Sequence, residues 1–99
     1  MRYAARADAN KDQIVSVLKA AGAYVYDLKL PVDLLVGHNG ITVLVEIKDG
    51  NKPPSAKKLT KLQQDFFDNW TGGPTAIVDS PEAALRLLRT IEKGNHERT

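Results

Sequence analysis

Apolar residues recur at helical spacing in Ile14, Val17, Leu18 and Ala21. This predicts a helix over about 10–21, with Asn10 as cap, Gln13 three residues later and Gly22 as stop. Residues 1–7 carry no clear period and read as a loose lead-in. Three runs rich in β-forming residues follow, at 23–28, 32–36 and Ile41–Ile47. His38-Asn39-Gly40 separates the last two, and Asn-Gly is a strong signal for a two-residue hairpin turn. Thr60-Lys61-Leu62-Gln63 matches a capping box, and Leu62, Phe66 and Trp70 then keep helical spacing until Gly72-Gly73-Pro74. A second helix is expected over about 56–70, with its aromatic residues as core. Thr75–Val78 reads as a short buried strand. Ser80 then caps a third helix over about 81–92, with Pro81 in first position and a Leu85, Leu88, Ile91 stripe. The polar stretch 94–99 reads as frayed. The order αβββαβ plus a C-terminal helix predicts an α/β fold with a mixed four-stranded sheet flanked by helices.

The hairpin carries chemistry as well as topology. With Asn39 and Gly40 as the two turn residues, His38 pairs with Ile41, and the register runs on to set Asp33 opposite Glu46. Directly opposed residues have Cβ atoms about 4.5–5.5 Å apart, so two like charges there repel. Alternation puts Lys48 on the same face as Glu46, while Leu34, Val36, Val43, Val45 and Ile47 point to the other face as core. A divalent cation resolves the conflict. Magnesium takes one or two carboxylates and fills its remaining positions with waters and substrate phosphate oxygens. Lys48 then serves to orient a bound water or neutralise charge developing on the phosphate, and phosphodiester hydrolysis is the natural chemistry. Duller readings stand beside this one. Asp33 as a cap after Pro31, Glu46 and Lys48 as edge charges, or a longer hairpin loop would each remove the pairing. Gln63 completes the capping box whether or not it has a further role, and His38 and His96 read as a turn and a tail residue.

Composition changes the picture little. Among 99 residues, 14 Lys and Arg oppose 12 Asp and Glu, a net charge of +2. The distribution is more informative: between positions 48 and 61 five lysines (48, 52, 57, 58 and 61) face only Asp49. Such a segment is either an ordinary solvated loop or a phosphate-binding one. The absence of cysteine excludes disulfides, thiolate metal sites and thiol chemistry. No apolar run approaches the roughly 18–20 residues needed to span a bilayer, and no signal-peptide core is visible. A single domain over 1–99, with a core at about 8–92 and no membrane association, is expected.

The string Pro31-Val32-Asp33-Leu34-Leu35-Val36, then Glu46-Ile47-Lys48, then Leu59-Thr60 and Gln63 before Trp70, resembles the PD-(D/E)xK nucleases, and among them the VRR-NUC family with its small standalone phage-type members. The likeness covers about residues 6–90, including Asp8-Ala9-Asn10, Ile14-Val15 and Ala20-Ala21-Gly22-Ala23. It implies a restriction-endonuclease-like αβββαβ core. By position it makes Asp33, Glu46 and the Ile47 carbonyl ligands of Mg2+ or Mn2+, Lys48 the assistant of the attacking water, and Gln63 the family's helix-borne glutamine. Two departures stand out: Pro31 is separated from Asp33 by Val32, and Gln13 lies where the family often has Glu. The second removes an outer-shell or second-metal carboxylate.

The resemblance further implies a homodimer acting on branched DNA such as Holliday junctions or flaps, within the cytoplasm of a bacterial or phage-infected cell. Lys52, Lys57, Lys58 and Lys61 are the candidate DNA-binding residues, contacting phosphates rather than bases. The alternative readings are a non-catalytic nucleic-acid-binding or dimerisation module on the same fold, and a protein-interaction domain with no nucleic-acid role.

Overall fold

The computed structural model describes residues 2–48 and 59–98. Its elements run α1 (Arg2–Ala20), β1 (Tyr24–Asp27), β2 (Leu34–His38), β3 (Ile41–Ile47), α2 (Lys61–Asn69), β4 (Thr75–Val78) and α3 (Pro81–Arg98). The strands form one open sheet in the order β1-β2-β3-β4, antiparallel through the first three and parallel between β3 and β4. The fold is therefore α/β with a mixed four-stranded sheet and three helices.

Both outer helices exceed their expected lengths. α1 begins at Arg2 rather than near residue 10: its first turns are alanine- and arginine-rich and favour helix by propensity, without an apolar period in the sequence to announce it. Asn10 is consequently an interior helical residue, not a cap. α3 continues through Gly94 to Arg98, beyond the last position of the apolar stripe and through the weak helix formers Gly94, Asn95 and His96. α2 is shorter at its start. Thr60 is the N-cap, with φ −68° and ψ 166°, and the reciprocal capping box with Gln63 is complete. The expected first turn at 56–58 lies outside the described residues.

The hairpin register is the expected one: His38 pairs with Ile41 and Leu34 with Val45. Asn39 and Gly40 both have positive φ (52° and 79°), the backbone a type I′ turn requires. β2 is displaced to Leu34–His38, so Asp33 sits on the bend immediately before the strand, and Val32 is buried from that bend.

Alternation along β2 and β3 sends Leu34, Val36, Val43 and Val45 to one face. There they meet Ile14 and Leu18 of α1 and Ala84, Leu88 and Ile91 of α3 in one cluster. In α3 the innermost stripe is thus Ala84-Leu88-Ile91, and Leu85 is only half-buried. Among the described residues the opposite face is thinly covered. α2 has no fully buried residue; Leu62 is 82% exposed, and Trp70 at 42% is not the core residue expected of the helix's aromatics. A nine-residue helix carries too narrow an apolar stripe to bury itself fully. Phe66 and Phe67 are half-buried, and Phe66 stacks against Trp70 with ring centroids 5.3 Å apart. Trp70 donates from Nε1 to the Gly73 carbonyl at 2.8 Å, and a Cβ at Gly72 would overlap its indole ring. No helix among the described residues is long and apolar enough to cross a membrane.

Candidate functional site

The site forms where β3 ends, below the N-terminus of α2. Glu46 lies on the sheet face opposite the core and is 4% exposed. Its Oε2 accepts a hydrogen bond from Gln63 Nε2 at 2.5 Å and lies 3.4 Å from Lys48 Nζ. Lys48 Nζ in turn donates to Gln63 Oε1 at 3.0 Å. The same Gln63 oxygen accepts from the Thr60 backbone N–H at 3.1 Å, while Gln63 N–H donates to Thr60 Oγ1 at 3.2 Å. Gln63 therefore does both things the sequence left open: it closes the capping box and holds Glu46 and Lys48 with the two ends of one amide.

Asp33 is fixed from both sides. Its carbonyl accepts from the N–H groups of Leu28 and Lys29 at 2.9 and 3.3 Å. Its Oδ2 accepts from Ile47 N–H at 2.8 Å. This last bond continues the β2–β3 pairing with a side chain in place of a backbone carbonyl, and it brings the carboxylate beside Glu46. Burial holds the Glu46 carboxyl above its usual range, and the Asp33 charge pushes it further up; Lys48 and the Gln63 bond pull the other way. The repulsion inferred from the hairpin register is thus present in the fold.

Lys48 is anchored through its main chain as well. Its N–H donates to the Val78 carbonyl at 2.9 Å, and its own carbonyl accepts from Asn10 Nδ2 at 3.3 Å. Asn10 is a site residue that sequence reasoning missed, because the contact spans 38 positions and leaves no local pattern. Gln13 is exposed on α1. His38 was misread as a turn residue: it ends β2 on the core face, 8% exposed, with Nε2 2.6 Å from Glu92 Oε2 of α3. Alternation could have found it, since it follows Leu34 and Val36 at even spacing.

Of the expected residues, Asp33, Glu46, Lys48 and Gln63 come together. Ile47 lies between Glu46 and Lys48 and contributes its N–H to Asp33. Lys61, at the start of α2, is solvent-exposed and pairs loosely with Asp65 at 3.8 Å. Lys52, Lys57 and Lys58 lie outside the described residues, as does the lysine segment they define. A cleft of about 560 Å³ opens onto the carboxylates, lined by Asp33, Glu46 and Gln63 together with Lys29, Leu30, Pro31, Thr60 and Leu62.

Two crowded carboxylates, one of them resisting ionisation, form a hard oxygen donor set that suits Mg2+ or Mn2+. Among the described residues no group of three or more His, Asp or Glu side chains stands together, so any cation here needs further oxygen ligands from backbone, water or substrate. That is the usual coordination of a phosphate-bridged magnesium. No protein-family model matches this chain, and neither does any curated protein or solved structure.

Proposed function

We propose that the chain is a Mg2+- or Mn2+-dependent DNA endonuclease with a restriction-endonuclease-like core, akin to the small VRR-NUC nucleases. The observation that carries the reading is the convergence of Asp33, Glu46 and Gln63 on one cleft, with the Lys48 ammonium bonded to Gln63 and paired with Glu46 behind them. In this reading Asp33, Glu46 and the Ile47 carbonyl hold the cation. Bound there, it supplies a Lewis acid for the phosphate and lowers the pKa of a water. Lys48 orients that water and offsets charge developing on the phosphate. Gln63 keeps Lys48 and the Glu46 carboxylate in mutual register, and Asn10 holds the Lys48 main chain. Hydrolysis breaks a phosphodiester P–O bond as the water oxygen bonds to phosphorus. Branched DNA is the proposed substrate, with Lys61 and the lysines at 52, 57 and 58 on its phosphates, and a homodimer the proposed assembly, acting in the cytoplasm of a bacterial or phage-infected cell.

Calorimetric titration with Mn2+, alone and with uncleavable flap DNA, tests the site on the parent protein and on Glu46→Ala. Binding in the parent that disappears in the variant is expected. Cleavage of flap and four-way DNA should fall by about 10²–10³ in Lys48→Ala, the usual cost of losing one charge-stabilising group. Salt-sensitive DNA binding without Mn2+ uptake or cleavage would overturn the enzymatic reading and leave a non-catalytic binding module.

A further inference from the structure

Among the described residues Leu30 at 81% and Leu62 at 82% are the most exposed of the large hydrophobic side chains. They come from unrelated elements, the bend after β1 and the first turn of α2, yet both line the cleft that holds Asp33 and Glu46. Pro31 continues this apolar wall, and Lys29 stands beside it. The wall has no counterpart in the core, since α2 buries nothing fully and the sheet's own cluster lies on the other face.

We propose that Leu30, Pro31 and Leu62 receive the base and sugar of an unpaired nucleotide next to the phosphate bound at Asp33 and Glu46, so that the cleft selects unstacked strands over continuous duplex. This rests on the nuclease reading for the placement of the phosphate. The occupant is chosen by three features together. The cleft volume of about 560 Å³ falls in the range that encloses small ligands of nucleotide size. Its lining joins an apolar wall to a polar end, as a nucleotide joins a base to a phosphate. Lys29 within the lining and Lys61 next to Leu62 supply positive charge for the phosphates that flank the bound unit. In a continuous duplex the base is already stacked and cannot reach the wall without paying for unstacking, whereas at a flap or junction it is free to do so.

The test uses the full chain in Ca2+, with fluorescein-labelled oligothymidylate, a splayed flap and a blunt duplex, read by anisotropy. The parent is expected to bind the oligothymidylate and the flap more tightly than the duplex. Leu30→Ser and Leu62→Ser should each weaken binding of the first two by about tenfold and leave duplex binding unchanged, whereas Leu30→Met and Leu62→Met hold the parent values, because an apolar side chain of similar volume preserves the wall. Both positions are exposed, so the fold tolerates the changes. Equal parent affinities for flap and duplex, or serine variants with the parent's preference, would overturn the inference, as would an equal loss on all three DNAs. A parallel cleavage assay on Glu46→Gln separates the two proposals. Leucine-dependent preference in a protein that cuts nothing sinks the nuclease reading alone; Glu46-dependent cleavage without that preference sinks the nucleotide wall alone.

Discussion

At the scale of residues, the site is a conflict held in place by hydrogen bonds. Asp33 and Glu46 repel, and the fold keeps them together by tying Asp33 to Ile47 N–H and Glu46 to Gln63. Relieving the repulsion should help the metal-free protein. Asp33→Asn keeps an acceptor for Ile47 N–H and removes one charge, so stability should rise by up to about 1 kcal/mol, or roughly 4–8 °C in melting temperature for a chain of this size. Stabilisation by Mn2+ should vanish at the same time; a lower metal-free melting temperature would contradict the pairing. Glu46 also sets a pH dependence. Its folded pKa lies above the unfolded value, so the native state binds the extra proton. The associated stability is therefore complete below the ordinary glutamate value of 4.5 and is lost as pH rises through the folded pKa. Metal-free urea denaturation across that window should show stability falling with rising pH, and Asp33→Asn should flatten the slope.

Gln63 offers a way to part local from tertiary roles. Gln63→Glu keeps a capping-box residue at the third helical position, so α2 retains its N-terminus. It also sets a third carboxylate against Glu46. The expected outcome is unchanged helicity by circular dichroism, lower metal-free stability, and tighter Mn2+ binding by calorimetry; weaker Mn2+ binding would argue that the amide's donor to Glu46 is essential to the site.

At the scale of elements, the hairpin turn decides whether the site exists, because a register slip of one residue would send Asp33 or Glu46 to the core face. Gly40 holds φ of 79°, where a Cβ is strained though nothing crowds it. Gly40→Ala should cost about 1–2 kcal/mol, seen as a lower urea midpoint with an unchanged m-value. α1 is tied to the sheet by the Lys11–Asp27 pair at 2.9 Å, whose hydrogen bond, more than its charge, holds the Asp27 carboxyl below its usual range. Element by element, the strands, the turn and the capping box were legible because each depends on neighbours within four residues. The extra turns of α1 and α3 were not, since neither carries an apolar period in the sequence; those of α1 are alanine- and arginine-rich, whereas that of α3 runs through the weak helix formers Gly94, Asn95 and His96. The exposure of Leu62 was equally hidden: its spacing from Phe66 and Trp70 marks an amphipathic helix but not how closely that helix packs.

Across the whole molecule, the two sheet faces divide the apolar core from the candidate site. One face carries the cluster with α1 and α3 and the His38–Glu92 pair; the other carries Glu46, Lys48 and the cleft. His38→Ala removes a buried side chain and its bond to Glu92, and should lower stability by about 1–3 kcal/mol in chemical denaturation. Mn2+ affinity should stay at the parent value, because His38 lies on the opposite face from Glu46. A change in affinity would show that the faces are coupled.

Sequence alone determined the αβββαβα order, the hairpin register and the meeting of Asp33 with Glu46, because helix period, strand alternation and turn chemistry are local and short-ranged. Only the tertiary structure decided that Asn10 reaches the Lys48 carbonyl across 38 positions, that His38 meets Glu92 across 54, and that Gln63 serves the cap and the site at once. It likewise brought Leu30 and Leu62 to one cleft. A local pattern tells which positions turn inward or pair with near neighbours; which distant side chain waits there depends on how the layers stack, and that is a property of the packed chain as a whole.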